Sequence, residues 1–256
     1  MTAHLLSSRT DFPGGFSAAN ALVDSTPYEP ELLIIGTFNP GGHAGNQAEF
    51  FYGRNYFWPV WAHIAGVPDA FGNAAAASGR RDAHLAAWPW DPAGNFPGIR
   101  GLCSQFRLTF ADLVLATHVQ VNGYSDKELN QFIQLGQAYL NVANILTYVR
   151  SKPSLRYVYA TTAFGQFGGL NDAWRALCAG LPAEIQTGKL LSPSGQGVGR
   201  NFAGLGRTAT LGRHWVWQNT NAHPAGAAAT QLLQRPNFDP LDRDWLSERG
   251  ANPAVL

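Results

Sequence analysis

The stretch "LLIIGTFNPGG", residues 32–42, decides the fold class of this chain. Four apolar residues run directly into a glycine, which is typical of a short strand buried in a parallel sheet. Similar strand patterns follow in "FRLTFADLVLATHVQV" (106–121) and "SLRYVYATT" (154–162). A fourth segment, "RTATLGRHWVWQNTNAHPAG" (207–226), has the pattern of a hairpin whose second arm ends on His-Pro. Strands that alternate with helical patterns predict an α/β fold with a mostly parallel central sheet.

Helical patterns fill the intervals between these strands. "NYFWPVWAHIAG" (55–66) predicts a helix that begins near Pro59, because proline suits a first helical turn. A second stretch, 125–151, predicts one long helix capped by Ser125. Helices are also predicted over 163–181 and from 227. Residues 69–100 are predicted to form a long irregular insertion, or else a poorly defined helix followed by a loop, and the tail after Pro236 is expected to be polar and loosely docked.

Composition bounds the class of protein. The chain has 256 residues, of which 45% are hydrophobic and 14% charged, so it can bury a full core. Without repeats or a clean linker, we expect one domain over 1–256, with a recognisable core over about 30–235. The start has no signal-peptide pattern, no run reaches membrane-span length, and the two cysteines suit free thiols. These features predict a cytoplasmic protein with no membrane partner, expected to be a monomer.

Common cofactor and metal motifs are not found. "GQGVGR" (195–200) is rich in glycine but does not fit the dinucleotide-binding pattern, and it follows no convincing strand. The chain has neither a phosphate-binding P-loop motif nor the G-x-S-x-G elbow of hydrolases. Its seven histidines show no metal-ligand spacing. The sequence therefore predicts no cofactor and no metal.

Ligands of open parallel sheets bind at the carboxyl ends of the strands. That rule places three segments at one edge: 37–42, 161–165 and 219–226. In the first, Pro40 fixes the backbone, and Asn39 can present an amide oxygen that holds a water; the alternative is a turn residue. The rings of 50–52 precede the predicted helix on a loop with Gly53, where they suit stacking against a nucleobase.

These residues carry a resemblance. "LIIGTFNPG" followed by "FFYGRNYFW" resembles the first signature of the uracil-DNA glycosylase superfamily, with mismatch-specific uracil and hypoxanthine-type DNA glycosylases as the closest members. The middle segments "FADLVLATHVQVNGYSD" and "YVYATTAFGQF" are similar to its second and third strand regions. The resemblance implies a three-layer α/β/α sandwich with a mostly parallel four-stranded central sheet. It implies hydrolysis of the N-glycosidic bond of a damaged or deaminated base in DNA, without a cofactor.

The resemblance also implies roles for individual residues. Asn39 would position the attacking water, and His223 would stabilise the negative charge that develops on the base. Phe51 is the favoured stacking ring. The residues expected to bind the base are Thr37, Phe38, Phe50, Phe51, Tyr52, Asn55, Thr117 and Thr161. The residues expected to bind DNA are Arg54, Lys189, Ser192, Ser194, Arg200 and Pro224.

Two segments compete for the second signature. "HPAG" (223–226) follows the pattern "RHWVWQN", which favours a strand, and has Ala225 where the family has serine. "SPSG" (192–195) resembles the Pro-Ser-Gly version and could contact phosphate through Ser194. The better strand pattern favours His223. Two functional alternatives stay open: a superfamily member without catalysis that binds DNA or a nucleotide, and an unrelated α/β enzyme acting on a small metabolite.

Overall fold

The computed structural model describes residues 28–38, 56–67, 97–118, 126–162, 164–165, 167–194, 206–218 and 238–256. The strands are β1 (Leu32–Gly36), β2 (Leu108–Asp112), β3 (Val114–Thr117), β4 (Ala138–Leu140), β5 (Tyr157–Ala160) and β6 (Gln186–Lys189). The helices are α1 (Phe57–Ala65), α2 (Pro97–Gln105), α3 (Asp126–Gln134), α4 (Val142–Ser151), α5 (Gly168–Gly180), α6 (Arg207–Trp217) and α7 (Arg243–Glu248).

The chain divides into two compact units. The first consists of Met1–Phe50, Arg107–Ala160 and Phe164–Thr187, and the second of Phe51–Phe106, Thr161–Ala163 and Gly188–Leu256. All of β1 to β5 and the helices α3, α4 and α5 belong to the first unit. The helices α1, α2, α6 and α7 belong to the second.

A four-stranded parallel sheet confirms the α/β prediction. Its strand order is β2-β1-β5-β6, so the "LLIIG" strand has neighbours on both sides. Leu32 lies beside Leu108 of β2 and Tyr157 of β5, and Ile35 lies beside Ala111 and Ala160. All five residues of β1 are buried. A strand that is paired on both edges and covered on both faces exposes no side chain to solvent, which explains its continuous apolar sequence.

The fourth strand of the sheet is β6, which the sequence patterns did not identify. Its sequence, Gln-Thr-Gly-Lys, has no apolar run or alternation, and Gln186 and Thr187 are exposed. The backbone N–H of Gln186 donates to the carbonyl of Arg156, 2.9 Å away, just before β5. Backbone pairing alone therefore places this strand, since its side chains carry little strand preference.

The second strand region divides after Asp112. β2 ends in the main sheet, and β3 leaves it to pair antiparallel with β4 in a separate two-stranded sheet. Asn141 holds the branch point, because its backbone N–H donates to Leu113 and its side-chain amide donates to the carbonyl of Asp112. Asn141 is fully buried, so these hydrogen bonds satisfy polar groups that water cannot reach.

The prediction of one helix over 125–151 is wrong. α3 ends at Gln134, β4 follows, and α4 begins at Val142. The break lies at Gly136, whose φ of +69° is the left-handed conformation that glycine adopts at helix C-termini. Its N–H donates to the carbonyl of Ile133, and the next N–H, of Gln137, donates to Phe132. Leu140, which the single helix would have to bury on its apolar face, is exposed on β4.

The expected hairpin over 207–226 is also wrong, because Arg207–Trp217 forms helix α6. Trp215 is fully buried in the second unit, with its ring centroid 5.8 Å from Phe57 and 6.1 Å from Trp61 of α1. Gly212 allows the close approach of α6 to α1, since a Cβ there would lie 2.9 Å from Cδ2 of His63. Tertiary packing overrides the local strand preference of Trp215-Val216-Trp217.

The polar tail is not loosely docked, which corrects a further expectation. Trp245 and Leu246 of α7 are buried, and Asp242 caps the helix by accepting the N–H of Trp245 at 2.9 Å. The N–H of Asn252 donates to the carbonyl of Ile64 in α1 at 2.7 Å. The end of the chain therefore completes the core of the second unit. Across the described ranges, no helix is long and apolar enough to cross a membrane.

Candidate functional site

The carboxyl end of β1 is held by backbone hydrogen bonds. The carbonyl of Gly36 accepts the N–H of Leu113 at 2.9 Å, and the carbonyl of Thr37 accepts the N–H of Val114 at 3.0 Å. Both donors lie where β2 passes into β3. Thr37 is thus fixed at the sheet edge two positions before Asn39. This is the edge at which parallel sheets bind ligands.

The Thr37 side chain reaches helix α3. Its hydroxyl forms a hydrogen bond with the carboxyl group of Asp126, the first residue of that helix. Desolvation by burial raises the pKa of Asp126 above its ordinary range, and the hydrogen bond from Thr37 opposes this rise by a smaller amount. A carboxyl group in the first turn of a helix is ordinarily stabilised as an anion by the helix dipole. Here burial outweighs that effect.

Helix α3 is itself firmly placed in the first unit. Leu129 is buried in the core. Asn130, one turn after Asp126, accepts the N–H of Gly169 at 2.8 Å and that of Leu170 at 3.3 Å. These two N–H groups open α5 and have no partner within that helix, so Asn130 caps it. The buried Leu129 and the contacts of Asn130 with α5 therefore fix the first turn of α3, to which Asp126 belongs.

Three other residues expected to bind the base have different surroundings. Phe38 is partly buried against the core of the first unit. Thr117 is fully buried, and it pairs with Ala138 in the β3–β4 ladder, away from the four-stranded sheet. Thr161 follows the last residue of β5 directly and is also buried.

The Ser-Pro-Ser segment belongs to the second unit and follows β6 closely. The N–H of Tyr56, immediately before α1, donates to the carbonyl of Pro193 at 2.8 Å. The indole N–H of Trp215 in α6 donates to the carbonyl of Leu191 at 2.9 Å. The hydroxyl oxygen of Ser192 accepts the N–H of Ser194 at 3.3 Å, which forms a tight local turn. Ser194 itself is exposed.

This arrangement removes the reason for preferring His223 over the Ser-Pro-Ser-Gly segment. The preference rested on a strand over "RHWVWQN", and residues 213–218 of that stretch lie in α6 and its C-cap, Gln218. Of the two candidates, the Ser-Pro-Ser segment is the one shown to follow a strand of the main sheet, since residues 190–194 come directly after β6. Lys189, the last residue of β6, is tied to Asp239 by two hydrogen bonds, of 2.8 Å and 3.0 Å, through its carbonyl and N–H.

The aromatic residues of the first helix form core structure. Phe57, Trp58 and Trp61 are buried, and the rings of Phe57 and Trp58 meet edge to face at 4.9 Å between centroids. Such edge-to-face pairs stabilise a core beyond their buried area. These rings are therefore not available to a ligand. Any stacking ring of the signature must come from the residues before them.

Several predicted site residues lie outside the described residues. They are Asn39, Phe50, Phe51, Tyr52, Arg54, Asn55, Arg200, His223 and Pro224. The insertion over 69–100 lies outside as well, except for the start of α2, and so does the helix expected from 227. Within the described ranges, no group of three or more His, Cys, Asp or Glu side chains is placed to hold a metal ion.

Asp126 is the candidate functional residue that the sequence patterns missed. The Ser-Asp pair at 125–126 has the ordinary pattern of a helix start, where an acidic residue needs no further explanation. Its burial and its contact with Thr37 depend on residues about ninety positions apart in sequence. No local signal distinguishes such a carboxyl group from a solvated cap.

Comparison with known proteins gives little information about family. No family model matches the chain, and no solved structure matches it. Outer membrane porin C of Rahnella aquatilis is 30% identical over 148 residues, which are 57% of this chain and 42% of the porin. The chain thus matches less than half of that protein's length. A similarity of this extent does not assign the chain to a family.

Proposed function

We propose that this protein is a monofunctional DNA glycosylase that hydrolyses the N-glycosidic bond of a deaminated or damaged base, of the uracil or hypoxanthine type. The reaction would need no cofactor. In this proposal the four-stranded sheet is the middle layer of an α/β/α sandwich similar to that of uracil-DNA glycosylases. DNA containing the modified base is the partner, and the protein acts as a cytoplasmic monomer.

The hydrogen bond from Tyr56 to Pro193 carries the proposal. Tyr56 belongs to the "GRNYFW" half of the first signature, and Pro193 is the centre of Ser-Pro-Ser-Gly. Tyr56 and Pro193 are 137 positions apart in sequence, yet they are in contact within one compact unit. A second signature at 192–195 retains the serine that "HPAG" lacks. This supports a functional phosphate contact through the exposed Ser194.

The end of β1 supplies the second support. Thr37 is fixed by its backbone at the carboxyl edge of a buried parallel strand, and the water-positioning residue Asn39 follows two positions later. Cleavage of the glycosidic bond develops positive charge on the sugar and negative charge on the departing base. An amide oxygen at this edge can orient a water toward the sugar carbon. Rings of the segment 50–52 can hold the extruded base by stacking.

A base-release panel tests the proposal. Duplex and single-stranded oligonucleotides that carry uracil, hypoxanthine, xanthine or a thymine mismatch are incubated with the protein, and abasic sites are then cleaved with alkali. We expect strand cleavage with at least one modified base and none with the unmodified control. Tight binding to such DNA without cleavage would favour the catalytically inactive binding module. If the protein neither binds nor cleaves such DNA, the glycosylase and the binding module are both excluded. That outcome would favour an enzyme of another class.

A further inference from the structure

Exposed apolar side chains are concentrated at β4 in the first unit. Of the four large apolar residues that are exposed in the described part of the chain, three lie within six positions. They are Leu135, which follows α3 directly, and Tyr139 and Leu140 of β4, with exposed fractions of 62%, 40% and 40%. Single exposed apolar residues are ordinary on protein surfaces, but a group of them is a sign of a binding surface.

The ring of Tyr139 pairs with that of His118, which follows β3 directly and is exposed as well. The two ring centroids are 4.8 Å apart, and 39° separates the ring planes. The backbone N–H of His118 donates to the carbonyl of Gln137 at 2.8 Å. Tyr139 lies opposite Ala116 in the antiparallel ladder. The β3–β4 ladder therefore holds the ring pair in a fixed position at the surface.

β3 connects this ring pair to the carboxyl edge of the four-stranded sheet. Val114, the first residue of β3, donates its N–H to the carbonyl of Thr37 at 3.0 Å. Each strand residue advances about 3.3 Å, so His118 lies roughly 13 Å along the strand from that hydrogen bond. One strand of stacked DNA advances about 3.4 Å per nucleotide, so the ring pair lies within about four nucleotides of this edge. Parallel sheets bind their ligands at the same edge.

The size and shape of this surface favour a small flat ligand over a protein. A standard protein interface takes about 800 Å² and about 20–30 residues from each partner, far more than this cluster offers. Successive residues of a strand point to opposite faces, so Tyr139 and Leu140 do not form one continuous apolar face. A nucleobase needs only a ring to stack on, and it needs neither a groove nor a base-specific hydrogen bond.

We propose that His118 and Tyr139 form a stacking site for an unpaired base of single-stranded DNA, distinct from the groups that hydrolyse the glycosidic bond. The site rests on the proposed function only in taking DNA as the partner. It would hold a base that flanks the modified one, either in a single-stranded substrate or where base extrusion has opened the duplex. Every base has a π face, so the site would accept any sequence.

Fluorescence anisotropy with a short labelled strand of unmodified oligothymidine is the direct test. Tyr139→Ala should weaken binding about 5- to 150-fold, the loss that corresponds to one stacked base. Tyr139→Phe keeps the ring and should bind as the wild type does. Tyr139→Leu keeps an apolar side chain without a ring and should bind as weakly as Tyr139→Ala. Leu135→Ala removes the most exposed apolar side chain of the cluster and, as the matched control, should leave binding unchanged.

A strand of the same length built from abasic sugars separates base stacking from backbone contacts. Tyr139→Ala should bind this strand as the wild type does, because no base is present to stack. An equal loss on both strands would overturn the proposal, since Tyr139 would then contact the backbone. Wild-type binding of oligothymidine by Tyr139→Leu would overturn it as well, because an apolar contact, as in a protein interface, would then be sufficient. So would a wild-type protein that does not bind oligothymidine.

The stacking site and the glycosylase function fail in distinguishable ways. Ring-dependent binding of oligothymidine without release of any base from the panel contradicts hydrolysis and leaves a protein that binds DNA. Base release together with single-strand binding that does not depend on Tyr139 contradicts only the stacking site. Thermal unfolding of every variant accompanies the titrations. If Tyr139→Ala unfolds early, the comparison of Tyr139→Phe with Tyr139→Leu decides the matter, because both keep a large side chain on β4.

Discussion

The backbone N–H of Tyr56 and the carbonyl of Pro193 are joined by a 2.8 Å hydrogen bond, although 137 positions separate them in the sequence. A proline carbonyl in a tight turn thereby accepts one of the N–H groups at the start of α1. Such groups have no partner within the helix and need one from outside. The bond makes the placement of the Ser-Pro-Ser turn and that of the aromatic helix interdependent.

Ser194→Ala distinguishes the two candidate second signatures. If the exposed Ser194 hydroxyl bonds a phosphate, its loss should weaken binding to the substrate duplex by about 1.5–3 kcal/mol, the range for a hydrogen bond to a charged group. His223→Ala should then leave binding close to that of the wild type. Fluorescence anisotropy with a labelled duplex measures both. The reverse result, with binding sensitive to His223 and insensitive to Ser194, would restore "HPAG" as the second signature.

Asn39→Ala tests the placement of water. Removing one positioning group should slow single-turnover base release by about 10²–10⁴-fold. Binding of the substrate should change little, because the lost contact acts mainly in the transition state. Phe51→Ala should instead weaken binding, by about 1–3 kcal/mol if its ring stacks on the base. Asn171→Ala on α5 is the control. Base release at the wild-type rate by Asn39→Ala would show that Asn39 is a turn residue only.

The raised pKa of Asp126 has a defined effect on stability. Between its ordinary pKa and the raised folded value, the folded state binds more protons than the unfolded chain. The free energy of unfolding therefore falls as pH rises through that window, and above it the loss is constant. Asp126→Asn should remove this fall and be more stable than the wild type at pH 8. Urea titrations of both proteins from pH 4 to pH 8 give the difference.

The same titrations provide the check on that sign. Asp172→Asn at an exposed position should follow the wild-type curve. A variant Asp126→Asn that is less stable than the wild type at pH 8 would mean that the ionised carboxyl group is stabilised by its surroundings. Burial would then not be the dominant influence on its pKa.

Gly212→Ala tests the packing of α6 on α1. A methyl group there would lie 2.9 Å from Cδ2 of His63, a distance that requires the ring or the helix to move. Such overpacking costs about 1–3 kcal/mol, and the better helix propensity of alanine returns about 1. We expect a net loss of up to about 2 kcal/mol in the free energy of unfolding.

Gly101→Ala in α2 is the matched variant, since a Cβ at this position meets nothing within 4 Å. It should be more stable than the wild type by about 0.5–1 kcal/mol, because alanine loses less backbone entropy in a helix. Denaturant unfolding of the two variants side by side isolates the packing contribution. Equal stabilisation by both substitutions would contradict the close approach of the two helices.

The sequence by itself determined the elements whose patterns are set by burial. "LLIIG" and "YVYA" form strands in which every residue is buried. A short, continuous apolar run is typical of a parallel strand that is covered on both faces. The helices α1 and α5 followed from their apolar spacing in the same way. The resemblance carried by the first signature also depended on sequence alone, and its site residues at Asn39 and 50–52 stay predictions.

Tertiary structure decided the rest, because the deciding contacts are distant in sequence. The polar strand β6 forms by backbone pairing beside β5, and α6 is helical because Trp215 and Gly212 pack on α1. Both outcomes override local preference. Burial raises the pKa of Asp126 only when the chain folds around the start of α3, and the Thr37 hydroxyl opposes that rise. A local pattern records which side chains can be buried, but not which distant partner buries them.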